Sequence, residues 1–355
     1  MPTRSNSLNV FIKAAVLSAA FLAFRPIQTG AQDIPSPKLV TDTVRVLVLG
    51  DLMMHSRQLS YDSRGFLEDL GPLISGADLV IGGAEFTLAG KPYTGYPRFS
   101  APDSYAENLR ASGIDVLLLA NNHILDYGER GLGRTLGRIG EPWCGAGADS
   151  ASFAAHNPLL LRVRGIKLAL VNFTYGTNLG AGRLWPKVSR LNKEEASLQM
   201  ERASEADFIL ALPHWGNEYE LHHSQDQEEW AEFLVKKGAG AVVGSHPHVV
   251  QDTAVIAGTP VVYSLGNAVS NMSARNTRLA LAAELLLVQS YPACSVSLSE
   301  TRLHFLWCTL PGKLKDGYHT IEISRYEGRR DLWKDPSDYD NMMQTYQRVL
   351  SETGI

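Results

Sequence analysis

The chain has 355 residues, 45% hydrophobic and 20% charged, enough to bury a large core in one domain or two intimate ones. Its formal net charge is -4, and loss of residues 1–31, which hold Arg4, Lys13 and Arg25 but no acid, moves it to -7. This acidity sets nucleic acid aside as a partner and means that an anionic ligand needs local positive charge, such as bound metal ions.

The first 31 residues read as a leader. Arg4 and Lys13 precede an eleven-residue apolar run, Ala14 to Phe24, and the small residues Thr29, Gly30 and Ala31 follow. Such a run is too short to span a bilayer and suits a signal peptide cleaved near Ala31 or Gln32, so a secreted or periplasmic protein is expected. Arg25 interrupts the apolar stretch, which keeps an uncleaved amino-terminal anchor as the alternative.

Val44 to Leu49 predicts a buried strand that breaks at Gly50-Asp51, ahead of Met53 and His55. Phe66 to Ile74 has helical spacing, and Ala77 to Gly82 is a second strand ending at Gly83-Ala84-Glu85. Lys91 to Pro102 is too rich in Pro, Tyr and Gly for a regular element and is expected to lie over the rim of the sheet. Between helices at Asp103 to Ser112 and Glu129 to Ile139 lies a strand, Val116 to Ala120, whose end delivers Asn121, Asn122 and His123, with Asp126 one helical turn on. Alternating strands and helices imply parallel crossovers.

Leu159 to Val163 and Lys167 to Phe173 predict a hairpin, so the sheet becomes mixed. Residues 176–190 have no clear period, and Asn192 to Ser204 is a polar helix joining two strand-rich halves. Phe208 to Leu212 is a strand ending at His214 and Glu218, followed by a helix over Gln227 to Lys237. Ala241 to Val243 ends at Gly244-Ser245-His246-Pro247-His248, where Pro247 predicts extended backbone over Ser245-His246. A hairpin over Val255 to Leu265 closes at Gly266-Asn267. Antiparallel strands at Leu279 to Val288 and Cys294 to Leu310 and a helix at Asp338 to Leu350 complete the chain. Cys294 and Cys308, in this last part, either bridge or stay as buried thiols.

One acid after a strand usually caps a turn. Here Asp51, His55, Glu85, Asn122, His123, Asp126, His214, Glu218, His246 and His248 all follow strand ends, the edge where open α/β sheets bind ligands. Carboxylates, imidazoles and an amide without thiols suit divalent Zn, Mn or Fe. The set is large enough for two ions bridged by one carboxylate. Asp126 can accept a ring N–H from His123 and fix its tautomer.

The motifs GDLMMHSRQ at Gly50, GAEFTLAGKPYTGYPRFSAP at Gly83, ANNHILDYGERGL at Ala120, PHWGNEYE at Pro213, GSHPHVVQ at Gly244 and YSLGNAVSN at Tyr263 resemble the CapA family. These are bacterial capsule and poly-gamma-glutamate biosynthesis proteins with a domain similar to calcineurin-like metallophosphoesterases. The resemblance covers residues 44–271, leaving 272–355 as carboxy-terminal strands and a helix that complete the domain. It implies an α/β fold, a four-layer α-β-β-α sandwich with two mixed sheets. It also implies Asp51, Glu85, Asn122, His214, His246 and His248 as ligands of two divalent ions, with His123 as catalytic acid. Met53 stands where metallophosphoesterases carry a ligand histidine, so His55 is the expected substitute, with Glu218 and Asn267 as further candidates. The expected activity is a metal-dependent hydrolase or transferase acting on a phosphoester or gamma-glutamyl amide. The alternative is a non-catalytic factor that binds an anionic envelope polymer or its precursor beside a membrane synthase or export complex.

Overall fold

The computed structural model describes residues 41–180, 185–291 and 295–355. In the first half the strands are β1 (Thr41–Leu52), β2 (Leu79–Ala84), β3 (Val116–Leu118), β4 (Trp143–Cys144), β5 (Ala146–Gly147), β6 (Leu159–Val163) and β7 (Ile166–Thr174). The second half adds β8 (Lys187–Val188), β9 (Phe208–His214), β10 (Ala241–Val243), β11 (Thr253–Ile256), β12 (Thr259–Val262), β13 (Asn267–Val269), β14 (Leu279–Ser290), β15 (Ser295–Thr309) and β16 (His319–Glu322). The helices are α1 (Gly71–Ser75), α2 (Asp103–Ala111), α3 (Gly128–Leu136), α4 (Ser150–His156), α5 (Lys193–Ala203), α6 (Gln225–Lys236) and α7 (Pro336–Thr353).

Two mixed sheets result. One runs β16-β15-β14-β1-β2-β3-β4, with β13 beside the end of β1; the other runs β11-β12-β10-β9-β7-β6. β1 to β4 are parallel, as are β7, β9, β10 and β12, while β14 to β16, β6 and β11 are antiparallel additions.

The alternation of side chains along β1 separates the layers. Val44, Val46 and Val48 join Leu168, Leu170, Leu210 and Leu212 of the second sheet in the core between the sheets. Leu47 and Leu49 turn the other way, into a cluster with Tyr105 and Leu109 of α2 and Leu132 of α3. On the far side, Val171 and Ile209 pack with Met200 of α5 and Leu234 of α6. The layers are therefore helix, sheet, sheet and helix, each fully buried aliphatic side chain contributing about 1.5–3 kcal/mol. α7 adds Met342 and Val349 to the inter-sheet cluster.

Several elements differ from expectation. The predicted helix over Phe66 to Ile74 is a 3-10 turn at Glu68–Leu70 followed by the five-residue α1, because Gly71-Pro72 interrupts the backbone hydrogen bonds. β1 does not break at Gly50 but runs to Leu52, bulged between Leu49 and Asp51 and extended by pairing of Asp51 with Asn267 of β13. Residues 1–31 and Cys294 lie outside the described residues, so neither the leader nor a Cys294–Cys308 bridge is addressed; Cys308 is a buried thiol. Among the described residues no helix is long and apolar enough to cross a membrane.

Candidate metal centre

The parallel strands of both sheets deliver their carboxyl ends to one place. Asp51 lies in the last turn of the pleat of β1, Glu85 follows β2, and Asn121, Asn122 and His123 follow β3. From the second sheet come His214, the last residue of β9, and His246 and His248 after β10. Gly50 permits this convergence: a Cβ there would lie 2.0 Å from the Gly266 carbonyl oxygen, to which the Asp51 amide donates at 3.0 Å.

Two groups of potential ligands form, each with its donor atoms within 4.8 Å of one another: Glu85, His214 and His246, and Asp51, Glu85 and His248. Glu85 belongs to both. Its Oε1 is 3.9 Å from His214 Nε2, and its Oε2 is 3.8 Å from His248 Nδ1. Asp51 reaches His214 Nδ1 at 3.6 Å and His248 Nδ1 at 3.9 Å. Asn122 Oδ1 stands 2.9 Å from His214 Nε2, on the rim of the first group.

The electrostatics of this cluster favour a cation. Glu85 and Asp51 are 0% exposed, and both Glu85 oxygens and His246 Nδ1 are buried without a hydrogen-bond partner. Native interiors rarely leave carboxylate oxygens so. Burial, reinforced by Asp51 and Glu218, pushes the Glu85 carboxyl well above the usual carboxylate range. Burial likewise lifts Asp51 to about 7, against donation from the His246 amide and the Ser245 hydroxyl. The imidazoles shift oppositely: burial, with His248 and His123 nearby, takes His246 down to about 3, and burial also lowers His214 and His248. Acids that resist ionisation beside bases that resist protonation are groups built to face positive charge that is not a proton. The N and O donors, without thiolate, fit divalent ions.

His123 adjoins both groups. Its Nδ1 lies 2.8 Å from Asp126 Oδ2, and its Nε2 lies 3.9 Å from Glu85 Oε1. With the Nδ1 proton donated to Asp126, Nε2 is the atom directed at the cluster. The Lys91 to Pro102 segment reaches this point as a loop: the Phe99 amide donates to Asp126 Oδ2 at 2.8 Å, and the Phe99 ring stands edge-on to His123 at 4.7 Å.

The remaining candidates are placed differently. His55 belongs to neither ligand group but lies beside them, close enough for His248 and His123 to act on its charge; burial, with those two rings, lowers it to about 4, its Nε2 is 3.4 Å from Ser270 Oγ, and its ring packs against that of Phe99. Glu218 is exposed at the rim and also belongs to neither group. Asn267 is a positioning residue whose Oδ1 lies 2.9 Å from His248 Nδ1; where that nitrogen carries the proton, Nε2 is the His248 atom left to hold an ion. His246 departs from the extended geometry expected before Pro247: its φ is +101°, and His248 has φ +59°. The local preference yields to a tertiary contact, the His246 amide donating to Asp51 Oδ2 at 3.1 Å, and strain of this kind persists where surrounding structure over-determines it.

Three further residues join the site. Asn178, in the aperiodic 176–190 stretch, donates its amide to the Asn122 carbonyl at 2.8 Å and sets its Nδ2 3.2 Å from His123 Nδ1. The Tyr175 ring lies 4.6 Å from that of His246. Ser245 Oγ is 3.0 Å from His214 Nδ1.

The chain is similar to several known proteins. "Capsule biosynthesis protein CapA" of Bacillus anthracis is 26% identical over 295 residues, covering 78% of this chain and 71% of that protein. "PGA biosynthesis protein CapA" of Bacillus subtilis (strain 168) is 28% identical over 297 residues, covering 78% and 76%. Among solved structures, the calcineurin-like phosphoesterase YfkN from Bacillus subtilis aligns with TM-score 0.47 and 16% identity, covering 89% of this chain and all of that one. The sequence model of the bacterial capsule synthesis protein family PGA_cap matches residues 45–272, the stretch that supplies every residue of the cluster, and the chain belongs to that family.

Proposed function

We propose that this chain is a metal-dependent hydrolase or transferase of capsule or poly-gamma-glutamate synthesis, acting on a phosphoester or a gamma-glutamyl amide. The observation that carries the reading is Glu85, one buried carboxylate shared by two ligand groups, the arrangement a two-metal site requires. Glu85, His214 and His246, with Asn122 at their rim, would hold one ion, and Asp51, Glu85 and His248 the other. Bound there, such ions supply an activated water and polarise a phosphoryl or carbonyl oxygen.

The chain's own residues do the rest. Asp126 holds the His123 proton on Nδ1, so a second proton carried on Nε2 can pass to the leaving group. Asn267 and Ser245 fix the rings of His248 and His214. The Phe99 ring packs perpendicular to the His123 ring and helps hold it in place. The leader-like amino terminus supports action outside the cytoplasmic membrane, with a membrane synthase or exporter as the partner that meets the same polymer.

The test is metal analysis of protein purified without chelator, followed by turnover assays on aryl phosphomonoesters, phosphodiesters and short gamma-linked glutamate oligomers. About two equivalents of metal and metal-dependent turnover of one class are expected. Binding of the oligomer without turnover of any class would refute catalysis and make the chain a polymer-binding factor.

A further inference from the structure

The chain is acidic, yet a cavity of about 290 Å³ beyond β13 is lined by three arginines: Arg275, Arg278 and, from α7, Arg348. Arg278 is neutralised by Asp338 through bonds of 2.6 and 2.7 Å and lies over the Trp307 ring at 4.3 Å. Arg348 donates only to neutral oxygens, those of Asn276 and Thr345, and its Nε is buried without a partner. Arg275 is exposed. Among the described residues no carboxylate lies within ion-pairing distance of either Arg275 or Arg348. Three guanidinium groups against one carboxylate leave this hollow cationic.

Two connections tie the hollow to the metal centre. Asn267, whose Oδ1 lies 2.9 Å from His248 Nδ1, donates from its side-chain amide to the Thr277 carbonyl at 3.0 Å, between Asn276 and Arg278. Arg275 and Asn276 also line an adjoining hollow with Tyr219, whose ring centroid lies 6.2 Å from that of His248. Glu220 and Glu352 line that second hollow without ion-pairing Arg275.

The geometry points to a carboxylate subsite at Arg275 and Arg348 that holds one side chain of an anionic polymer while another part of the same polymer lies at His248. This rests on the reading of the metal centre given above. Guanidinium forks match carboxylates with two parallel hydrogen bonds, and the cavity is large enough for one acidic residue and not for a length of polymer. The subsite also supplies the fixed positive charge that an acidic protein needs to retain a polyanion.

The test uses manganese-loaded wild type, Arg275→Glu and Arg348→Gln, titrated calorimetrically with a gamma-linked glutamate hexamer, with the same hexamer amidated at every side chain, and with glutarate. Metal content is measured in parallel. We expect each variant to bind the acidic hexamer roughly tenfold or more weakly, with metal content unchanged and the neutral hexamer and glutarate bound weakly by all three proteins. Unchanged hexamer affinity in Arg275→Glu, whose exposed position does not threaten folding, would overturn the subsite. Glutarate binding as tightly as the hexamer would overturn it too, making the hollow a site for free small anions. A wild type that takes up no metal but still loses hexamer affinity on either substitution would refute the metal centre and leave the subsite standing.

Discussion

Replacing Glu85 by Gln separates a ligand from a structural acid. Glu85 is fully buried, neither of its oxygens has a hydrogen-bond partner, and burial holds its carboxyl well above the usual range. An acid whose folded-state value is raised contributes its full stability below the unfolded value and loses it as pH rises through the folded value. At pH 8 the neutral, isosteric Gln is therefore at least as well tolerated as Glu in the metal-free protein. The loaded protein behaves oppositely, because the substitution removes the negative charge and one of the two oxygens of the carboxylate common to both groups. At free metal one hundred times the dissociation constant, each ion stabilises the fold by about 2.7 kcal/mol. Taking about 2.1 cal/mol/K of unfolding entropy per residue, two ions raise the Tm of a chain this size by about 7 °C. We expect wild type to show that increment in differential scanning fluorimetry with Mn or Zn, and Glu85→Gln to lose most of it with an unchanged metal-free Tm. A metal-free Tm lowered by several degrees with the increment intact would refute the argument, showing that Glu85 serves packing.

His123→Ala should retain metal and fold while losing turnover by roughly 10²–10⁴-fold, with Asp126→Ala intermediate in rate and less stable because the Phe99 amide loses its acceptor; steady-state kinetics beside elemental analysis reads both. His246→Ala and His246→Gly should both bind less metal, but the glycine variant should be at least as stable without metal, since only glycine is at ease at φ +101°; urea melts of the two decide it. Gly50→Ala should cost several kcal/mol in the same melts and weaken metal binding, because its Cβ would stand 2.0 Å from the Gly266 carbonyl oxygen and displace Asp51.

Much of the framework was legible because it depends on nearest neighbours in the chain. Apolar runs such as Val44 to Leu49 and Ala241 to Val243 are buried on both faces of a sheet, so their composition and length announce a strand, and the first polar residue after each marks the functional edge. Asp51, Glu85, Asn122, His214, His246 and His248 are visible in this way, and the three-residue spacing of His123 and Asp126 foretells their bond. Tertiary structure decided what depends on distance in space. That Glu85, and not Asp51, is shared between the two groups follows from how the sheets face each other. That β1 runs on past Gly50 follows from its pairing with β13, which joins Asp51 to Asn267 across more than two hundred positions. The backbone of His246 turned to positive φ against the preference set by Pro247, because Asp51 supplies its amide with an acceptor from the other sheet. Arg348 meets Asn276 across 72 positions, and Asn178 meets His123 from a stretch with no period at all. Hydrophobic periodicity is a local record of burial; which polar groups share a site is set by the packing of layers, and that packing leaves its mark on no single stretch of chain.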